Sequence, residues 1–362
     1  MILTAENILF YLLERGLVTM HSVVDGDLVV VESSSRNRNF KVIRRKQPGY
    51  FVKQVQQWDQ ASIDLVRREA DCYQLVHQEA EFDALAALMP AFHGYDAASN
   101  TLVVGLLPDG ENLSEYHRRL DVYPVDVAKM LGQALGALHA PLDQDSHPIQ
   151  QRGLPGTVPW ILSAHQLNQQ PAHNAQGANQ QVLSIIHKYT QFHPLLDQLR
   201  QQWRRETLIH GDVKWDNCLL YRRDEQLRLK LIDWETADWG DPAWDVGAIF
   251  QAYLVYWIMT IPIQPDTPPA HFLHLAPQPL EAVQPALITY WQAYQQQRGL
   301  ASAAAQELLT RSAQYGAARM LQTAYEYMVY APQISGNALC MLQVSLNILS
   351  QPEAAVHELF GL

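Results

Sequence analysis

Leu208-Ile209-His210-Gly211-Asp212-Val213-Lys214-Trp215-Asp216-Asn217-Cys218-Leu219-Leu220 is the stretch on which the reading of this chain turns. Two apolar runs bracket a polar loop, so the pattern predicts strand, loop, strand. Inside the loop, Asp212 is followed by Asn217 five positions later. Further on, Leu229-Lys230-Leu231-Ile232-Asp233-Trp234-Glu235 predicts a strand that delivers an Asp at its end. Gly240-Asp241-Pro242-Ala243-Trp244-Asp245 comes next.

Phosphoryl transfer asks little covalent chemistry of a protein. It needs a divalent cation on the phosphates, a carboxylate to orient the acceptor hydroxyl, and positive charge near the phosphates. Two Asp and an Asn offer the base and the oxygen ligands that Mg²⁺ prefers. The H-G-D-x-x-x-x-N loop followed by I-D-W-E resembles the catalytic loop and metal segment of the aminoglycoside phosphotransferase and choline kinase family. Gly211 and Trp234 stand where protein kinases have the R of H-R-D and the F of D-F-G, which favours the small-molecule branch. The resemblance implies Asp212 as catalytic base, with Asn217 and Asp233 as Mg²⁺ ligands. It implies that Glu235 supports the metal through water, that Asp245 braces the loop, and that His210 holds it by hydrogen bonds. It also implies ATP as donor, with GTP left open.

The N-terminal part offers an independent check. Leu28 to Val31, Phe40 to Ile43 and Tyr50 to Val55 predict strands, and Asp64 to His77 a helix. Lys53 on the third strand and Glu69 on the helix resemble the family's phosphate-binding Lys and its partner. Lys41, one strand earlier, is the rival. No GxGxxG is present. Ser33, Ser34 and Ser35 stand in its place, read either as a phosphate-binding loop or as a plain hairpin.

Outward from these motifs, residues 1 to 20 predict a short helix capped by Thr4 and stopped at Gly16. Thr101 to Leu107 predicts a strand and Val125 to His139 a helix. Residues 141 to 180, rich in Gln, Asn, Pro and His, predict a long irregular insertion, partly helical at best. Ala252 to Ile263 predicts a buried helix too short to span a bilayer. The expected class is α+β, a bilobal protein-kinase-like fold with a small antiparallel N-lobe sheet and a larger, mainly helical C-lobe. Residues 1–104 would form the nucleotide-binding lobe and 105–112 a hinge against adenine. Residues 113–362 would carry the catalytic loop and acceptor-binding helices. Leu219 and Ile232 are candidates for the floor under the base. Tyr253, Tyr256, Trp257, Tyr325, Glu326 and Tyr330 are candidates for the acceptor site, or equally an aromatic core.

Bulk composition narrows the partners. With 26 Lys and Arg against 37 Asp and Glu, the formal net charge is -11. That argues against nucleic acid and suits a cationic acceptor. Hydrophobic content of 48% is ample for a core in 362 residues. The three cysteines have no metal-type spacing and read as reduced thiols in a cytoplasmic protein. The N-terminus carries no basic region before an apolar core, so neither a leader nor membrane attachment is expected. A monomer or homodimer is expected. Three activities compete: a kinase of a small-molecule hydroxyl, a kinase of Ser or Thr hydroxyls on a peptide, and a pseudokinase that binds nucleotide as a scaffold.

Overall fold

The computed structural model describes residues 1–34, 36–107, 109–140, 154–166, 177–264, 267–268 and 271–362. The chain is α+β and divides into two compact units. The first holds the described residues of Met1–Tyr116, Pro148–Leu154 and Asp216–Ala237. The second holds those of His117–His147, Pro155–Trp215 and Asp238–Leu362.

Unit one is built on an antiparallel sheet of β1 (Leu28–Glu32), β2 (Arg38–Arg44), β3 (Tyr50–Gln54), β4 (Phe92–Asp96) and β5 (Thr101–Gly105). The strand order is β1-β2-β3-β5-β4. Strand side chains alternate between faces. Phe40, Val42, Val52 and Val103 share one face and pack with Leu3, Ile8 and Leu12, the last two from helix α1 (Ile8–Glu14). Phe51, Lys53 and Val104 therefore turn to the opposite face, which lines a cavity. Helix α2 (Met20–Val24) follows, capped by Thr19 through Ser22 N. The helix expected within residues 1 to 20 is thus α1, and α2 is a second short helix that begins at Met20. Asn7 occupies the first N-cap position, and Gly16 sits past the end of α1 at φ 68°.

Helix α3 (Gln60–Gln78) begins at Asp59, whose side chain accepts from Ser62 N at 3.0 Å. Val66, Glu69, Ala70, Tyr73 and Val76 form its buried stripe at helical spacing. A short α4 (Asp83–Ala86) follows. The unit closes with a second sheet of β6 (Glu111–Asn112), β8 (Cys218–Arg223) and β9 (Gln226–Leu231). Leu231 N donates to Leu88 O at 2.7 Å, tying β9 to the segment before β4.

Unit two is mainly helical. Its helices are α5 (Leu113–Leu120, which starts in unit one), α6 (Val125–Leu138), α7 (Asn179–Lys188), α8 (Phe192–Gln201), α9 (Pro242–Thr260), α10 (Gln284–Arg298), α11 (Ser302–Tyr327), α12 (Gly336–Ser350) and α13 (Pro352–Glu358). A two-stranded ladder joins β7 (Thr207–Ile209) to β10 (Asp238–Gly240). Gly-Asp-Pro starts α9 as local chemistry dictates. Asp241 caps through Ala243 N at 2.9 Å, and Pro242 takes the first helical position, where its missing N–H costs nothing. Apolar residues on nearly every face of α9 leave it buried. It crosses α11 where Gly247 meets Gly316. A Cβ on Gly247 would lie 2.3 Å from Ser312 O, so only bare backbone fits that crossing. Of residues 141 to 180, the described parts are 154–166 and 177–180, with a 3₁₀ turn at Trp160–Gln166. Among the described residues, no helix is long and apolar enough to cross a membrane.

Candidate active site

In unit one the site is built around Lys53, which is 6% exposed. A buried ammonium needs paired charge, and Lys53 has it in excess. Its Nζ donates to Glu69 Oε2 at 2.7 Å, Asp233 Oδ1 at 2.6 Å and Glu235 Oε2 at 2.9 Å. Glu69 lies in the apolar stripe of α3, which carries it to the sheet face where β3 presents Lys53. Burial pulls the Lys53 ammonium down, but Glu69, Asp233 and Glu235 outweigh it and hold its pKa above the ordinary range. Burial pushes the Glu69 carboxyl up, with Lys53 pulling against it. The carboxylate oxygens of Glu69, Asp233 and Glu235 lie within 4.8 Å of one another. Three carboxyl groups thus face one ammonium. Arg36 adds a second cation, its Nη1 donating to Glu235 Oε1 at 3.0 Å.

Asp233, two residues past β9, adopts the left-handed region, at φ 65° and ψ 60°. Asp and Asn tolerate that conformation better than other L-residues. Its side chain, 36% exposed, opens on a cavity of about 370 Å³ within this unit. Phe51, Val104, Leu219 and Ile232 give the cavity apolar walls. Lys53, Asn217 and Asp233 bring polar groups to it, and Lys41 from β2 also lines it. The donors are carboxylate and amide oxygens, the set a hard cation such as Mg²⁺ takes. Ser33 and Ser34 lie outside the lining. Ser33 N donates to Asn39 O at 2.8 Å, and Ser34 Oγ donates to Glu32 Oε1 at 2.9 Å, so both are used inside the β1–β2 hairpin. Ser35 lies outside the described residues.

In unit two the loop after β7 is held from beneath by Asp245, which is fully buried on α9. Its Oδ2 accepts from His210 N at 2.7 Å and its Oδ1 from Gly211 N at 3.0 Å. His139 Nε2 lies 3.3 Å from Oδ2. Gly211 adopts φ 80°, a left-handed turn that favours glycine at this position. Asp212 follows, its N–H directed at His210 Nδ1 at 3.4 Å. Asp212 Oδ1 accepts from Arg319 Nη2 at 3.0 Å and Oδ2 from Lys214 Nζ at 2.7 Å. Burial pushes the Asp212 carboxyl up, but Arg319 and then Lys214 outweigh it and bring it to about 2.

The profile of the phosphotransferase enzyme family matches residues 27–304. The chain belongs to the phosphotransferase enzyme family. One curated relative, a 4-hydroxytryptamine kinase of Psilocybe cyanescens, is 26% identical over 163 residues. That match covers 42% of this chain and 43% of the relative, so the chain spans less than half the length of the relative it matches. Among solved structures, the ethanolamine kinase of Plasmodium vivax superposes with a TM-score of 0.56 at 14% identity, covering 92% of this chain and 86% of that one. The choline kinase of Cryptosporidium parvum gives 0.54 at 11% identity, covering 98% and 96%. At these identities the likeness is one of fold, the protein-kinase-like fold.

Several of the phosphotransferase's residues escape a reading by motif. Arg319 sits on α11, far from the catalytic loop in sequence, and its only signal is a charged residue in the buried, Ala-rich run around Gly316. Arg36 is a single arginine in a polar loop with no pattern around it. The aromatic candidates separate by burial. Tyr253 and Trp257 are buried, and Tyr253 packs edge-on against Trp215 with centroids 5.0 Å apart. His117 stacks on the same indole at 4.0 Å, so Tyr253 belongs to an aromatic core. Tyr330 is 95% exposed. Tyr325 meets Trp160 edge-on at 5.3 Å, and Glu326 accepts from Gln322 Nε2 at 2.8 Å.

Proposed function

We propose that this phosphotransferase moves the γ-phosphate of ATP, with Mg²⁺, to a hydroxyl of a small cationic molecule. The observation that carries the reading is the Lys53–Glu69–Asp233–Glu235 cluster at the cavity. In this reading the apolar walls of the cavity take the adenine, and the backbone of Gly105 to Leu107, within the expected hinge, borders it. Lys53, kept charged and oriented by Glu69, binds the nucleotide's phosphates. Asp233 and Asn217 hold Mg²⁺, which when bound would neutralise phosphate charge, and Glu235 supports it. The convergence of three carboxyl groups within 4.8 Å favours a divalent cation there.

Asp212, in the second unit, orients the acceptor hydroxyl. A carboxylate with a pKa of about 2 is a weak base. Its work is to hold the hydroxyl and to take the proton late, as the loose transition state of phosphoryl transfer allows. The acidic chain and the Tyr325, Trp160 and Glu326 neighbourhood support a cationic acceptor. The similar ethanolamine, choline and 4-hydroxytryptamine kinases are named for hydroxylated amines, in keeping with this.

The test is ADP release from Mg-ATP with choline, ethanolamine, 4-hydroxytryptamine, kanamycin and a Ser/Thr peptide as acceptors. Turnover should appear with a hydroxylated amine and fall at least a hundredfold in Asp212→Asn and Asp233→Asn. Asn is chosen at 233 because it tolerates the left-handed backbone there. Full activity in either variant refutes the assignment. Turnover with the peptide alone makes the protein a peptide kinase. Nucleotide binding with no turnover across the panel makes it a scaffold.

A further inference from the structure

We propose that Arg319 is a positioning residue that fixes Oδ1 of Asp212 and thereby reserves Oδ2 for the acceptor hydroxyl. The inference rests on the reading of Asp212 as the hydroxyl-orienting carboxylate. It comes from an asymmetry in how the two oxygens are held.

Oδ1 belongs to a buried guanidinium. Arg319 is 5% exposed, its Nη2 reaches Oδ1 at 3.0 Å, and its Cζ stands 5.2 Å above the Trp244 ring. Its Nη1 lies 3.5 Å from Gly211 O, the carbonyl to which Trp244 Nε1 donates at 2.8 Å. Stacking and hydrogen bonding thus both hold the guanidinium beside the residue that precedes Asp212. An Arg in this setting does not lose its proton, and leaving would strand a partly buried carboxylate.

Oδ2 belongs to a displaceable partner. Lys214 donates to it at 2.7 Å from a side chain that is 42% exposed, on a flexible stem that swings into water at little cost. A substrate hydroxyl competing for Asp212 therefore displaces Lys214, not Arg319.

In the transfer, the acceptor oxygen bonds to the γ-phosphorus while the bond from that phosphorus to the β–γ bridging oxygen breaks. The electron pair leaves on ADP, and the hydroxyl proton passes to Oδ2. Arg319 gains and loses nothing in this step. Its part is to stop the carboxylate from rotating, so that Oδ2 alone meets the substrate. Misplacing a reacting group by about 1 Å is enough to cost on the order of a hundredfold in rate.

The experiment uses the full chain with Mg-ATP, reading ADP release with water alone and with the panel acceptor that turns over fastest. Arg319→Gln should lower kcat about a hundredfold and leave KM for ATP within twofold. Arg319→Lys, which keeps the charge but loses the planar fork, should lower kcat about tenfold. Methylguanidine added to Arg319→Ala should restore at least tenfold of the lost rate, a recovery a purely structural role would not give. If Arg319→Gln does not fold, Arg319→Lys and the rescue decide. A kcat within twofold of wild type in Arg319→Lys, or no rescue, overturns the inference while an inactive Asp212→Asn leaves the underlying reading standing. An active Asp212→Asn instead overturns the reading of Asp212 itself.

Discussion

Replacing Asp245 by Ala removes the acceptor beneath the loop that carries Asp212. Two backbone donors lose a charged partner: His210 N at 2.7 Å and Gly211 N at 3.0 Å. Each such bond to an ionised acceptor contributes roughly 1.5–3 kcal/mol. His210 is fully buried and its N–H has no water to turn to, whereas Gly211 is partly exposed and recovers some of the loss. The expected cost is about 4 kcal/mol, a little under the middle of the range for two bonds because Gly211 recovers part of its share. At about 3 °C per kcal/mol for a unit of this size, the melting point of unit two should fall by about 12 °C. Asp245→Asn keeps one acceptor oxygen and should cost about half as much. Calorimetry on the full chain resolves the transition, and ADP release from Mg-ATP reports the loop. A loss below about 1 kcal/mol for Ala, or an Asn variant as damaged as Ala, would refute the claim that these two bonds hold the loop.

Two further outcomes follow from the same geometry. Burial holds the His139 imidazole below its usual pKa, with Asp245 opposing, so the folded chain binds fewer protons than the unfolded chain under acid conditions. The stability this contributes is present above about pH 6.5 and is lost as pH falls below it. His139→Gln should flatten that part of the melting-point profile between pH 6.5 and 5, and an unchanged slope would refute it. Lys53→Met should weaken ATP binding at least tenfold, about 1.4 kcal/mol, while Mg²⁺ should raise the variant's melting point more than the wild type's. An equal response to Mg²⁺ would show that the three carboxylates do not act as one cluster.

Most of the sheet of unit one was legible because Val, Ile, Phe and Tyr runs are punctuated by polar turns. β4 was not, since Phe92-His93-Gly94-Tyr95-Asp96 has little β-branched content and a register break between Phe92 and Gly94. The N-terminal helix was legible up to its stop at Gly16, but its cap at Asn7 and the second helix capped by Thr19 were not, because apolar spacing alone marks neither. Lys53, Glu69, Asp212, Asn217 and Asp233 stood out because each sits in a local pattern, a strand end or a helix stripe. Arg319 and Arg36 had no such frame. Their meaning is a distance to a residue remote in sequence, and no periodicity encodes it. The same holds for Tyr253, whose packing against Trp215 separates core from binding surface only in three dimensions.

The contact of Gly247 with Gly316 has a consequence for how the family's chemistry can be retained while its targets change. Asp245 and Arg319 stand on the two helices that touch there, two residues before one glycine and three after the other. The footing of Asp212 is thus set by a backbone-to-backbone spacing inside the core, and not by the loop's own side chains or by the helix ends. Beyond that crossing, Gln322 and Glu326 face outward on α11 while Ala324 and Tyr325 stay buried. Mutational tolerance should therefore divide along α11: Ser312 to Arg319 intolerant of added bulk, and the outward-facing positions Gln322 and Glu326 tolerant of it.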